Sequence, residues 1–206
     1  MIKYYRHLLS LALLLSLAAC STLQPSQQPP ATMAANAHIQ YWQISGKIGL
    51  RDGSSAHSGY LNWQQCGDRF DIRLTGPLGQ GAAHLYGDSL QAMLITSDQQ
   101  QFQARTAAEL LEQQLGWSLP VEELLYWLRG IPSPDYPYQP NQQTALEPAN
   151  SATLSFEQNH WHLNFVKFTE VDGYQLPSKI IAQQPPYKVT LVINQWQLPA
   201  NCGLAE

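Results

Sequence analysis

The chain has 206 residues, and its 15 acidic side chains against 11 basic ones give a formal net charge of −4. A chain of this sign has no general electrostatic attraction to nucleic acid or to anionic lipid headgroups. Its length suits a leader followed by one domain with a hydrophobic core.

The first twenty residues resemble a bacterial lipoprotein leader. Lys3 and Arg6 precede an apolar run over 8–17, which ends in Leu17-Ala18-Ala19-Cys20. The order is that of a secretory signal, and the run has about half of the roughly 20 residues that a membrane span needs. The match to a lipobox implies cleavage before Cys20 and lipidation of this cysteine. An ordinary signal with a chance cysteine and a single membrane span are the alternatives.

Cleavage removes Lys3 and Arg6, so the mature chain carries a net charge of −6. We therefore expect acyl chains to hold it on the membrane, at about 0.8 kcal/mol per buried methylene. Ser21 follows the cysteine, and in lipoproteins of this kind a serine implies export to the outer membrane. We divide the chain into a signal peptide (1–19), a flexible tether from Cys20 (20–38), a domain (39–199) and a tail (200–206).

The first part of the domain alternates apolar and polar residues with a period of two. Turn-forming pairs such as Asp52-Gly53 and Gly67-Asp68 separate the runs. This pattern predicts an antiparallel sheet that is covered on one side. The predicted strands are 42–50, 61–63, 70–74, 83–85, 90–96 and a short piece around Phe102.

The middle of the chain is predicted to be helical. Thr106 with Glu109 forms a capping-box pattern at the start of a first helix, and Gly116 is suited to its end. Pro120 suits the first turn of a second helix, which Gly130 ends.

A loop over 132–150 follows, and strands resume around 154–156, 161–165, 178–182 and 187–196. The order of strands, helices and strands indicates an α+β fold that is mainly β. We expect a curved antiparallel sheet with helices across its concave side. The pattern leaves open whether side chains fill the space between these layers or a cavity remains there.

Several short segments in this order resemble the LolB family of outer-membrane lipoprotein receptors over about 39–199. They are 42–47 (WQISGK), 61–63 (LNW), 74–79 (LTGPLG), 115–117 (LGW), 120–121 (PV), 126–132 (YWLRGIP) and 176–177 (LP). The resemblance implies a half-open β-barrel lidded by helices around an apolar cavity. It also implies a monomeric, non-enzymatic protein on the periplasmic face of the outer membrane, without cofactor or metal.

The partners that this resemblance implies are a LolA-like periplasmic carrier, acylated lipoprotein cargo and outer-membrane lipid. The protein would receive cargo from the carrier and insert it into the outer membrane. Two other classes stay open: a structural or regulatory protein-binding lipoprotein with a filled interior, and a lipid hydrolase. A cavity of several hundred Å³ with apolar walls would favour the receptor over the binding module.

The resemblance also implies a membrane-insertion loop with an exposed leucine, which matches Leu78 between Pro77 and Gly79. Proline restricts φ and glycine permits a sharp reversal, so a projecting tip suits this segment. The alternative is that Leu78 folds back and covers the end of the sheet.

Large apolar residues at inner positions are candidates for the cavity wall. Plain core packing is the better interpretation for most of them, and we expect about a third to contact lipid. The candidates are Trp63, Leu74, Leu94, Leu111, Trp117, Leu124, Trp127, Leu128, Trp161 and Trp196.

Three smaller features leave alternatives open. After export, Cys66 and Cys202 would be in an oxidising compartment, where they either form one disulfide or stay unpaired. His160 and His162 fit a metal pair, although two surface histidines suit the sequence better. Arg129 either lies at the C-terminal end of the second helix, where a cation is favourable, or contacts cargo headgroups or the carrier.

Overall fold

The computed structural model describes residues 31–53, 55–77, 81–141 and 154–203. The predicted signal peptide, Cys20, the loop residues Leu78 and Gly79, and residues 204–206 of the tail lie outside these ranges. Within them, no helix is both long and apolar enough to cross a bilayer.

The described part of the chain forms one sheet of eleven strands. In sheet order they are β6-β5-β4-β3-β2-β1-β11-β10-β9-β8-β7, and all neighbours are antiparallel. The strands are β1 Tyr41–Asp52, β2 Ser55–Cys66, β3 Arg69–Thr75, β4 Ala83–Gly87, β5 Ala92–Thr96, β6 Gln101–Ala104, β7 Tyr138–Pro140, β8 Leu154–Gln158, β9 Trp161–Val171, β10 Tyr174–Gln184 and β11 Tyr187–Gln197. Because β6 and β7 do not pair with each other, the barrel stays open. The predicted fold class is confirmed.

Three helices are described: α1 Ala31–Asn36, α2 Ala107–Leu115 and α3 Val121–Trp127. The predicted cap of α2 is present, since Thr106 Oγ1 accepts the N–H of Glu109 at 3.1 Å. The Glu109 carboxylate accepts the N–H of Arg105 instead of that of Thr106, at 3.2 Å. At the other end Gly116 takes the left-handed conformation (φ 69°), as the predicted stop requires.

A glutamate of α3 joins the two larger helices. Glu122 Oε1 accepts the N–H of Ala107 at 3.0 Å and that of Ala108 at 3.3 Å. These are donors of the first turn of α2, where a carboxylate is favourable. The two helices therefore hold each other as a roof over one half of the sheet.

Helix α1 lies inside the predicted tether, so the prediction for this segment is corrected. The composition predicts a flexible segment over 31–38, but Met33 and Asn36 are buried. Asn36 Nδ2 donates to the carbonyls of Arg129 at 2.7 Å and Gln175 at 2.9 Å. The packed part of the chain therefore begins by Met33, ahead of the predicted boundary at residue 39. The segment has only one large apolar side chain, which explains why its hydrophobic pattern was too weak to predict a helix.

Two turns differ from the predicted strands. The alternation predicts a strand that starts at Leu90, but Leu90 is 81% exposed, because Asp88 Oδ1 accepts the N–H groups of Leu90 and Gln91 and closes a turn before β5. His160 lies in the turn before β9 with φ 65°, so it does not share a strand face with His162. His162 Nδ1 instead lies 3.1 Å from Glu157 Oε1.

One strand appears that the sequence did not predict, and the disulfide that the sequence left open is present. The short strand β7 lies inside the predicted loop 132–150, where it pairs with β8. Cys66 and Cys202 form a disulfide with a Cα–Cα distance of 5.4 Å, which joins the C-terminal segment to the end of β2.

Candidate functional site: an apolar cavity under the helices

A cavity of about 530 Å³ lies between the first strands of the sheet and the roof formed by α2 and α3. Its floor is formed by inner residues of β1 to β4, including Leu50, Leu61, Ile72 and Leu85. The roof contributes Leu111, Leu115, Val121 and Leu124. No Asp, Glu, Lys or Arg is among the described lining residues, so the space suits an apolar ligand.

The cavity has a mouth at one end of the sheet. The exposed residues Ala56, Ser58, Gly81 and Ala82 belong to its lining, so it opens to solvent there. Small side chains leave this end open. Gly59 lies at the same end, where an added Cβ would come within 2.8 Å of the Thr75 carbonyl oxygen.

One ring contact spans the mouth. Trp117, in the link between α2 and α3, lies with its ring centroid 5.4 Å from that of His57 on β2. The contact joins the roof to the floor beside the opening, where Trp117 is partly exposed.

Trp63 and Val121 form the inner end of the cavity. Both also line a second cavity of about 400 Å³, whose lining, unlike that of the first, includes charged residues such as Asp68, Asp88 and Arg105. The indole N–H of Trp63 donates to Gln65 Oε1 at 2.9 Å, and its ring packs 5.5 Å from that of Trp42. Trp63 is therefore held as a partition between an apolar space and a charged one.

The predicted wall residues divide into two groups. Trp63, Leu74, Leu111, Trp117 and Leu124 line the cavity. The other five candidates, Leu94, Trp127, Leu128, Trp161 and Trp196, are buried in the core and are not among its described lining residues.

Two of the three indoles in this second group donate hydrogen bonds within the core. Trp127 Nε1 donates to Gln158 Oε1 and Trp196 Nε1 donates to the Pro177 carbonyl, each at 2.8 Å.

Sequence reasoning missed part of the wall. Ile48, Leu61, Ile72 and Leu85 have the same strand period as the candidates, and this period was the signal that could have found them. His57 and the small residues of the mouth carry no such signal, because only their position at the end of the sheet makes them part of the opening.

The flanks of the predicted insertion loop lie at the mouth. Pro77 is exposed, and Pro77 and Gly81 both line the cavity. Leu78 and Gly79 are outside the described residues. The chain therefore enters and leaves the loop at the rim of the opening.

Arg129 is not available to a ligand. Its side chain is buried and donates to the carbonyls of Ile39 at 2.7 Å and Leu125 at 3.3 Å. Burial lowers the pKa of this guanidinium. The suggested contact with cargo or carrier is therefore wrong, whereas the contact with Leu125 fits the predicted place at a helix C-terminus.

A buried carboxylate lies at the inner side of α3. Burial raises the pKa of Glu123, and Asn159 opposes this shift by donating to Glu123 Oε1 at 2.8 Å. This residue lines neither cavity, so its effect is on stability.

Comparison with known proteins agrees with this architecture. The family model described as outer membrane lipoprotein LolB matches residues 40–196. The chain belongs to the LolB family. A LolB-family outer-membrane lipoprotein of Stutzerimonas stutzeri is 39% identical over 207 residues, covering 96% of this chain and 98% of that protein. One of Pseudomonas putida strain KT2440 is 36% identical over 209 residues, covering 97% and 99%.

Solved structures show the same fold at low sequence identity. A LolA superfamily protein of Nitrosomonas europaea superposes with a TM-score of 0.53 at 10% identity, covering 82% of this chain and 92% of that one. A DUF1329 family protein of Desulfovibrio piger has a TM-score of 0.53 at 8% identity, covering 84% and 90%. The open barrel is therefore shared more widely than the LolB sequence pattern.

Proposed function

We propose that this protein is a lipid-anchored receptor of the outer membrane that accepts acylated lipoproteins from a LolA-like periplasmic carrier and inserts them into that membrane. The observation that carries the proposal is the cavity with uncharged walls and a mouth at one end of the sheet. Membership of the LolB family supports it.

The size of the cavity suits an acyl chain. A cavity of about 150 Å³ holds one benzene molecule, so 530 Å³ corresponds to roughly 20 carbon atoms on the same scale. That is of the order of one fatty acyl chain. A chain of a dozen or more methylenes, at about 0.8 kcal/mol each, cannot cross water unshielded.

The direction of transfer follows from the same energies. Without an energy source, an acyl chain moves toward the environment that removes more of its surface from water. The partly open cavity shields a chain less completely than a bilayer does. Cargo received from the carrier is therefore released into the membrane, and Pro77, Leu78 and Gly79 form the loop that we propose brings the mouth to it.

The test uses the Cys20→Ala chain with an ordinary cleavable signal, mixed with purified carrier–lipoprotein complex. We expect cargo to pass to this chain, as followed by co-purification. Leu74→Trp, which places a larger side chain in the cavity, should reduce transfer at least severalfold. The matched control is Leu90→Trp, at an exposed turn away from the cavity.

Two results would contradict the proposal. One is failure of the folded Cys20→Ala chain to take cargo, and the other is equal transfer to both tryptophan variants. The second result would favour the protein-binding module, in which the cavity has no part.

A further inference from the structure

The outer face of the sheet, which is turned away from α2 and α3, collects basic side chains. The five neighbouring strands β2, β1, β11, β10 and β9 contain five Lys or Arg residues and only two Asp or Glu residues. The acidic ones stand at the strand ends, Asp52 as the last residue of β1 and Glu170 next to the end of β9. We call the basic set the basic face: Lys47, Arg51, Lys167, Lys179 and Lys188.

Strand register brings these residues together. Lys47 pairs with Val192, Val192 with Lys179, and Lys179 with Lys167, which makes one row across four strands. Arg51 pairs with Lys188 in a second row, four residues further along β1. Neighbouring strands are about 4.8 Å apart, so residues far apart in sequence form one compact surface.

These basic side chains have no acidic partners in the described part of the chain. Ion pairs engage Arg73 with Asp71 and Arg105 with Glu109, but none involves a member of the basic face. The five strands carry a net charge of +3, whereas the whole chain carries −4, so the remainder carries −7. These strands are therefore positively charged, although the chain as a whole is negatively charged.

Exposed apolar side chains accompany the charges. Tyr60 is 52% exposed and Val166 and Val192 are also exposed, all on these strands. The Lys47 ammonium lies 5.7 Å from the centre of the Tyr60 ring. Lysines beside an amphipathic aromatic residue and short apolar side chains are typical of surfaces that lie on lipid headgroups.

We infer that the basic face binds anionic phospholipid headgroups at the surface of the membrane to which the chain is anchored. The inference rests on the proposed function only for this anchor. Eleven residue steps separate Cys20 from Ala31, where α1 begins, and they span at most about 38 Å. An anchored domain is thus always close to headgroups, so weak contacts suffice to hold it there. Each basic residue near an anionic surface strengthens binding about fivefold.

The experiment measures vesicle binding of the Cys20→Ala chain without cargo. We expect it to bind vesicles of phosphatidylethanolamine with phosphatidylglycerol and not to bind neutral phosphatidylcholine vesicles. It should dissociate from the anionic vesicles as the salt concentration is raised. Lys47→Glu should weaken binding roughly 25-fold, since it removes one favourable charge and adds an unfavourable one. Lys188→Glu is a second variant on the neighbouring row. Arg105→Glu, an exposed change of the same charge outside the basic face, should stay within twofold.

Four outcomes overturn the inference. The first three are no binding to anionic vesicles at low salt, equal binding to neutral vesicles, and equal losses in Lys47→Glu and Arg105→Glu. A fourth is loss of carrier association in Lys47→Glu with unchanged vesicle binding, which would identify a protein as the partner. Cargo transfer to the same chain separates the two proposals. Cargo transfer without vesicle binding would contradict only this inference. Vesicle binding without cargo transfer would contradict only the proposed function.

Discussion

The two halves of the sheet differ in how they use the space beneath the helices. Strands β1 to β5 and the roof enclose an open cavity, whereas aromatic side chains fill the interior along β8 to β11. In the filled half, the rings of Phe156 and Phe165 lie 5.4 Å apart and those of Trp127 and Trp161 lie 6.2 Å apart. In the open half, Gly59 and Ala83 occupy inner positions.

The comparison shows that one strand pattern supports both a packed core and a binding site. Alternation decides which side chains point inward, and the sizes of those side chains decide whether they fill the space beneath the helices. The same period of two therefore serves stability in one half and ligand binding in the other.

The largest expected difference between the halves is in stability. Phe165→Ala should lower the free energy of unfolding by about 3–5 kcal/mol, because it opens a new cavity in a tightly packed region. Leu111→Ala should cost about 2 kcal/mol, the lower end for a buried leucine, because its side chain already borders empty space. Urea unfolding of both variants measures this difference, and equal losses would show that the two halves are packed alike.

The next prediction concerns the mouth of the open half. Leu78→Glu should leave folding intact and reduce release of cargo into liposomes at least tenfold, because a charge at a membrane-entering tip is unfavourable. The control is Leu90→Glu, which carries the same change on an exposed turn between β4 and β5. Normal release by Leu78→Glu would remove this leucine from the mechanism.

A smaller effect is expected at the partition between the two cavities. In the native chain, affinity for fatty acids should stop rising once the acyl chain reaches Trp63. Trp63→Leu should move this plateau to a longer acyl chain, with a gain of up to about fourfold for each further methylene that is buried. Displacement of a fluorescent fatty acid measures the plateau, and Trp161→Leu, in the filled half, should leave it in place.

The smallest prediction concerns the buried carboxylate of α3. Because the pKa of Glu123 is raised in the folded state, its contribution favours folding below the unfolded pKa and is lost as pH rises through the folded pKa. Glu123→Gln should therefore raise Tm slightly at pH 7, and this gain should shrink as the pH falls toward 4. Thermal unfolding of both proteins across this range tests the sign. A gain that is the same at both pH values would contradict the assigned cause.

Much of the architecture could be predicted because its signals are local. Thr106 and Gly116 bound α2 as expected, since caps depend on neighbouring backbone groups. The missed elements, α1 and β7, have weak patterns of their own and are stabilised by partners distant in sequence. Arg129 is an example of such a partner, since its carbonyl accepts a hydrogen bond from Asn36, 93 residues earlier in the chain.

The site was predictable only in part, for the same reason. Sequence reasoning selected Trp63 and Trp161 by one criterion, a large inner side chain on a strand. Only the first lines the cavity, because the helices stand off from β1 to β4 while Trp127 packs against Trp161.

By itself, the sequence determined the lipobox-like leader, the alternation of the strands, the helix caps and the family, because each depends on residues close together in the chain. The tertiary structure alone decided which half of the interior stays empty and where the mouth opens. It also decided that five basic residues of an acidic chain share one face. These properties depend on distances between strands and helices, which no local pattern specifies.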